Sequence, residues 1–237
     1  MDCSSADIVS PATGETAAAC PPPSPLFVYL DGARVVVVGA GDVAERKIAT
    51  LLEYGADVIV VAPEATPQVE QWAADGAIAF ERRSYAHGDL EGALLVIGAT
   101  NVRSVNEAVY AEASERSMLV NIVDVPDLCN TIIPSVLRRG NLQIAVSTAG
   151  SAPSVARDIR RSLEEQYSQA WEGYIDLLGE VRGLIKQRIT GPASARMPIY
   201  EMLGSSDLLE RLEAGERLGA EEVYDGYVVP FCEGRQQ

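Results

Sequence analysis

The chain is poor in the residues that most often carry metal and acid–base chemistry. It holds one histidine, His87, and four cysteines, Cys3, Cys20, Cys129 and Cys232, with no C-x-x-C pair among them. Such spacing offers no zinc site, so no resident metal is expected. Scattered thiols fit a reducing cytosol. His87 lies in Ser84-Tyr85-Ala86-His87-Gly88-Asp89, a loop pattern, and is expected at the surface. Cations are also few: 19 Lys and Arg stand against 34 Asp and Glu, a formal net charge of −15. That field repels phosphate, so neither nucleic acid nor an anionic membrane surface is an expected partner. No apolar run approaches the roughly 18 residues of a membrane span. The opening Met1-Asp2-Cys3-Ser4-Ser5 lacks the basic and apolar stretches of a secretory leader. The expected location is the cytoplasm.

What is present is enough apolar material for a sizeable core, 47% of 237 residues. Residues 1–25 are rich in Ser, Ala, Thr and Pro and read as a disordered tail ending in a stiff proline linker. From Leu26 the pattern changes. Short β-branched runs at Val35–Val38, Val58–Val61, Leu94–Ile97 and Met118–Val123 suit strands buried on both faces, and Ile78–Arg82 adds one more. Helical patterns at Val43–Tyr54, Pro67–Asp75 and Val102–Arg116 alternate with them. This is the βαβ rhythm of an α/β fold, a Rossmann-like parallel-sheet domain over 26–125. The rhythm then breaks. Thr131–Leu137 and Leu142–Thr148 predict a hairpin around Arg138-Arg139-Gly140-Asn141, making 126–150 a β-rich region. Residues 151–237 read as helical. Ser151 is the expected N-cap of a long stretch, Pro153–Ile189, broken near Trp171-Glu172-Gly173 and ended by Gly191-Pro192.

Gly39-Ala40-Gly41-Asp42-Val43-Ala44 fits G-x-G-x-x-[GA] between a strand and a helix. The first glycine permits a tight turn and the second lets backbone approach a pyrophosphate. The small third residue packs helix on strand. Gly39, Ala40, Gly41, Asp42 and Val43 are therefore candidate dinucleotide ligands, with a purely structural turn as the alternative. A carboxylate for the ribose should end the second strand, but Ala62-Pro63 stands there. Either Glu64 or backbone near Pro63 takes that role. No arginine follows to receive a 2′-phosphate, which favours NAD over NADP. Thr100 and Asn101, ending the Leu94 strand, are expected to line the crevice.

The motif extends through Glu45-Arg46-Lys47. Beyond it come Gly98-Ala99-Thr100-Asn101, Val120-Asn121-Ile122-Val123-Asp124, Ile133-Pro134-Ser135 and Ser147-Thr148-Ala149-Gly150-Ser151-Ala152-Pro153. In this order the chain resembles precorrin-2 dehydrogenases, also found as the N-terminal part of siroheme synthases. The resemblance covers about Leu26–Ile189. It implies a nucleotide domain, a β-rich dimerisation region and a helical C-terminal region, assembled as an intertwined homodimer. The implied reaction is NAD-dependent oxidation of the tetrapyrrole precorrin-2, with iron insertion in some members. Where the family often carries further glycines, this chain has Ala40 and Ala149.

Oxidising a macrocycle carbon removes a hydride and a proton, so a carboxylate near the nicotinamide is wanted as base. Asp124, just past a strand, has that position, and the resemblance makes it the catalytic residue. Capping its own turn is the plainer role. The resemblance also brings Asn121 beside the substrate. Precorrin-2 is a polycarboxylate, so an acidic protein must hold it with a local cationic cluster. Between Thr131 and Arg161 stand five arginines and a single acid, Asp158. Arg138, Arg157 and Arg160 are the chosen contacts, since guanidinium forks suit carboxylates. Ser147 and Thr148 are expected to add hydrogen bonds. The competing reading is an NAD-binding sensor domain without catalysis, against which the missing acid after the second strand counts.

Overall fold

The computed structural model describes residues 23–235. Residues 1–22 of the expected tail lie outside the described residues. The chain divides into two compact units, Met1–Val120 and Asn121–Gln237.

The first unit is built on parallel strands β1 (Arg34–Val38), β2 (Asp57–Val61), β3 (Ala79–Glu81) and β4 (Leu95–Gly98). With β5 (Leu119–Ile122) they form one sheet in the order β3-β2-β1-β4-β5. Val35 to Val38 are at most 2% exposed. Such a run has no polar alternation because helices and loops cover both of its faces. Register aligns the carboxyl ends: Val38 pairs with Val61 on one side and with Gly98 on the other. The strand order reverses between β1 and β4, and ligands of open α/β sheets bind in the crevice beyond the carboxyl ends at such a reversal.

Helix α1 (Asp42–Glu53) buries Ala44, Ile48 and Leu51, a single stripe at helical spacing. Helix α2 (Pro67–Ala74) starts at Thr66, whose hydroxyl accepts from the Val69 N–H at 3.3 Å, with Pro67 in its first turn. Helix α3 (Arg103–Glu115) buries Asn106, Val109, Glu112 and Ala113. No helix links β3 to β4. That loop is tied instead to Glu112, a carboxylate only 1% exposed. The Tyr85 hydroxyl donates to Glu112 Oε2 at 2.5 Å, the Gly88 N–H at 2.9 Å, and Arg116 Nε lies 3.1 Å from Oε1. Burial pushes the carboxyl upward, but the Tyr85 and Gly88 donors with nearby His87 and Arg116 outweigh it and hold Glu112 below the ordinary carboxylate range. His87 is exposed on this loop, 3.7 Å from Glu115.

The boundary between the units falls inside β5. In the second unit β6 (Ser135–Arg139) and β7 (Leu142–Val146) form the expected antiparallel hairpin. Arg139 pairs with Leu142, so the turn is Gly140-Asn141 alone, with Gly140 at φ +54°. Arg138 and Arg139 are thus strand residues, not turn residues as the sequence suggested: a two-residue turn that needs positive φ only at its first position is satisfied by Gly140 followed by Asn141. Helices α4 (Pro153–Gln166) and α5 (Ala170–Arg188) follow. The break falls before Ala170, at Tyr167-Ser168-Gln169, because Trp171 packs on Tyr167 and Tyr174 at 4.9 and 5.6 Å between centroids and belongs to the continuing helix. Ser151 does not cap α4. The N-cap is Ala152, and the Thr148 hydroxyl accepts the Ala152 N–H at 3.1 Å. Helices α6 (Ala193–Gly204), α7 (Leu208–Glu213), α8 (Ala220–Val223) and α9 (Val229–Gly234), with a π-helical turn at Tyr224–Val228, complete the chain. They close over the Tyr174, Leu177, Val181 and Ile185 stripe of α5 through Ile199, Leu203, Leu208, Val223 and Val228. Among the described residues no helix is long and apolar enough to cross a membrane.

Candidate functional site

The glycine turn leaves β1 at its carboxyl end and opens α1. Gly39 has φ +110°, and a Cβ there would press into the Ala99 carbonyl, only 2.7 Å from its carbon. The chains leaving β1 and β4 touch here, so only glycine fits. Gly41 differs. It is extended, and a Cβ would meet nothing within 4 Å. Its absence of a side chain therefore answers to no neighbour in the protein. Gly41 is also the N-cap of α1 and supplies no side-chain acceptor. The first-turn N–H groups of Asp42 and Val43 receive no side-chain cap, the arrangement that receives an anion. Ala40 is buried, Val43 half-buried, and Asp42 exposed.

The loop after β2 is stapled to this turn. Thr66 N–H donates to the Ala40 carbonyl at 3.0 Å, and the Thr66 hydroxyl donates to Glu45 Oε2 at 2.6 Å. This clasp fixes Pro63 and Glu64, both exposed, beside the glycine turn. Sequence reasoning gave Glu45 no role. The signal was the Thr66-Pro67 helix start, whose capping hydroxyl needs a second partner. On the other side, Ala99 N–H reaches the Val38 carbonyl at 2.8 Å. Thr100 follows, its hydroxyl accepting the Val102 N–H at 3.2 Å and its carbonyl accepting Asn106 Nδ2 at 2.9 Å. The candidate ligands Gly39 to Val43, Pro63, Glu64, Thr100 and Asn101 thus share one edge of the first unit. The fit to a dinucleotide rests on the bare Cβ position of Gly41 above uncapped N–H groups.

Asp124 lies two residues past β5, exposed, at φ +60°. A non-glycine residue held in the left-handed region costs about 1 kcal/mol and needs surrounding structure to enforce it. Here the enforcement is visible. Val125 N–H closes the turn on the Ile122 carbonyl at 3.2 Å. The Cys129 sulfur accepts the Ile122 N–H at 3.2 Å, and its S–H is shared between the Ile122 and Val125 carbonyls at 3.2 and 3.3 Å. Burial pushes the Cys129 thiol up, only partly offset by the Ile122 N–H, which keeps it protonated and donating. Asn121 spans the same loop, its Nδ2 donating to the Thr131 carbonyl at 2.9 Å. Cys129 was read from the sequence only as one of four scattered thiols. Spacing alone cannot show that it returns to its own strand.

The candidate substrate groups divide. Ser147 Oγ accepts the Ala149 N–H at 3.1 Å and Thr148 Oγ1 that of Ala152. Each hydroxyl keeps its own proton to donate. Between them Ala149 and Gly150 take φ +52° and +81°. Arg160 is paired with Glu164 one turn on, and Arg138 Nε reaches the Gly140 carbonyl at 3.4 Å. Arg157 is exposed at the start of α4. Arg139 is spent on structure, holding the Tyr167 carbonyl at 2.9 Å. Among the described residues no group of three or more His, Cys, Asp and Glu is placed to hold a metal ion.

Comparison with known proteins shows which chains this one resembles. A family model described as "Putative NAD(P)-binding" matches residues 26–135, and one described as "Sirohaem biosynthesis protein central" matches 139–166. The siroheme synthase of Nitrosococcus oceani is 38% identical over 210 residues, 89% of this chain and 44% of that protein. That of Photorhabdus laumondii is 39% identical over 172 residues, 73% of this chain and 37% of that one. The chain spans less than half the length of these curated relatives. Among solved structures, SirC, a precorrin-2 dehydrogenase, superposes with a TM-score of 0.68 at 29% identity, covering 79% of this chain and 92% of its own.

Proposed function

The chain belongs to the siroheme synthase family, and from that premise we propose that it oxidises precorrin-2 to sirohydrochlorin with NAD. The observation that carries the nucleotide part is Gly41, bare of neighbours above an uncapped helix. Held at this turn, NAD would supply the hydride acceptor. The chain's own residues do the rest. Gly41, Asp42 and Val43 offer N–H groups to the pyrophosphate. Pro63 and Glu64 take the ribose, and Thr100 and Asn101 border the nicotinamide. Asp124 receives the proton that leaves the macrocycle carbon, so hydride and proton are both accounted for.

Asn121, Ser147 and Thr148 border the substrate, and Arg138, Arg157 and Arg160 pair with its carboxylates. Of the three arginines, Arg157 is the strongest anchor, because Arg160 must first give up Glu164. Residues 126–150 form the dimerisation region of a homodimer that works in the cytoplasm, followed by the helical region 151–237. The exposed Ile132 and Ile133 beside the hairpin support a second copy as partner. The sensor alternative gains nothing from the matches, which continue through the sirohaem model beyond the nucleotide domain.

The test is turnover. Purified protein given precorrin-2 and NAD yields NADH and sirohydrochlorin in equal amounts. Asp124→Ala retains NAD affinity and loses turnover by about a hundredfold or more. Unchanged turnover in that variant removes Asp124 from the reaction. Adding ferrous iron to sirohydrochlorin without NAD tests iron insertion separately.

A further inference from the structure

Among the described residues, Asn106 is the side chain near the nucleotide edge that carries an unexplained cost. It sits in the first turn of α3, 6% exposed. Its Nδ2 donates to the Thr100 carbonyl at 2.9 Å, while its Oδ1 is fully buried with no hydrogen-bond partner. A buried amide oxygen without a partner is destabilising, and a leucine of the same shape would remove the penalty. The helix does not need the side chain for capping, since the Thr100 hydroxyl already receives the Val102 N–H and the Asn106 N–H reaches the Val102 carbonyl at 3.2 Å.

What Asn106 does hold is the carbonyl of the Thr100–Asn101 peptide. The preceding Ala99–Thr100 peptide is pressed against Gly39, whose added Cβ would lie 3.1 Å from Thr100 N. The β1–β4 crossing point is therefore fixed from two sides: Gly39 sets the contact and Asn106 pulls the Thr100 carbonyl back toward α3. Released, that carbonyl is free to turn into the crevice, where an acceptor facing phosphate or ribose oxygens repels them.

We propose that Asn106 is a positioning residue of the nucleotide crevice, retained at a cost in stability to hold the Thr100 carbonyl away from the ligand. The inference rests on the NAD reading above, and the test separates the two. NAD affinity is measured by titration calorimetry and stability by urea unfolding on the full chain. Asn106→Leu binds NAD about tenfold or more weakly, while its unfolding midpoint stays at or above the wild-type value. A merely structural asparagine predicts the reverse, a lower midpoint with unchanged affinity, and that result overturns the proposal. Asn106→Asp keeps the shape but sets a carboxylate oxygen against the Thr100 carbonyl, and weakens NAD binding as well. Should Asn106→Leu not fold, wild-type NAD affinity in Asn106→Asp overturns the proposal and weakened affinity supports it. A wild-type protein that binds no NAD sinks the nucleotide reading itself, and this inference with it.

Discussion

Gly41→Ala separates a ligand-binding turn from a structural one. At φ −83° and ψ −175° Gly41 occupies backbone space open to alanine, and an added Cβ meets no atom within 4 Å. Two small effects on folding oppose each other. Alanine narrows the unfolded ensemble, worth about 0.4–1 kcal/mol in favour of folding. As an N-cap it is poorer than glycine by roughly 1 kcal/mol or less. Net stability therefore stays within about 1 kcal/mol of wild type. A nucleotide bound over this turn would meet the methyl. Holding the pyrophosphate away from the first-turn N–H groups forfeits at least one hydrogen bond to a charged oxygen, about 1.5–3 kcal/mol. That is roughly a ten- to hundredfold rise in Kd. Calorimetric titration with NAD beside urea unfolding reads both quantities. Wild-type affinity in Gly41→Ala refutes the reasoning, because the bare position would then serve nothing.

Gly39→Ala behaves oppositely, with φ +110° and the Ala99 carbonyl both against a side chain. It loses about 2 kcal/mol or more of stability by urea unfolding. Cys129→Ala leaves the Ile122 N–H unpaired and frees the Asp124 turn. Turnover falls about tenfold with NAD affinity unchanged, and Cys129→Ser, which keeps a donor and an acceptor, recovers part of it; equal rates in all three proteins would detach the turn from the chemistry. Glu112, held below its ordinary range, contributes stability that is fully present above the unfolded carboxyl pKa and lost as pH falls through the lower folded one. Glu112→Gln therefore flattens the acid limb of the stability profile, and an unchanged slope would exclude this loop anchor.

The sheet was legible because its strands are nearly pure β-branched runs separated by helical stripes. The glycine turn was legible because Gly39 must take positive φ against the Ala99 backbone and Ala44 must be small to bury on α1. Edges were less so. The expected Met118–Val123 strand shortens to Leu119–Ile122, since Asp124 must turn through positive φ two residues on. Ser151 carries the residue type of a cap, but the earlier Thr148 hydroxyl reaches the Ala152 N–H first. Arg139, one of the five arginines of the cationic stretch, fastens α4 to the hairpin through backbone carbonyls. Charge counts locate cations and say nothing of which are already committed. The Thr66–Glu45 staple and the Asn106 clamp join residues distant in sequence or a buried face, and only the packed structure reveals them.

The central claim is that a pyridine nucleotide binds over the Gly39–Val43 turn. A crystal structure of the NAD complex tests this most directly. It is predicted to show pyrophosphate oxygens within hydrogen-bonding distance of the Asp42 and Val43 N–H groups, and the nicotinamide ring beside Thr100. A nucleotide bound elsewhere contradicts the account.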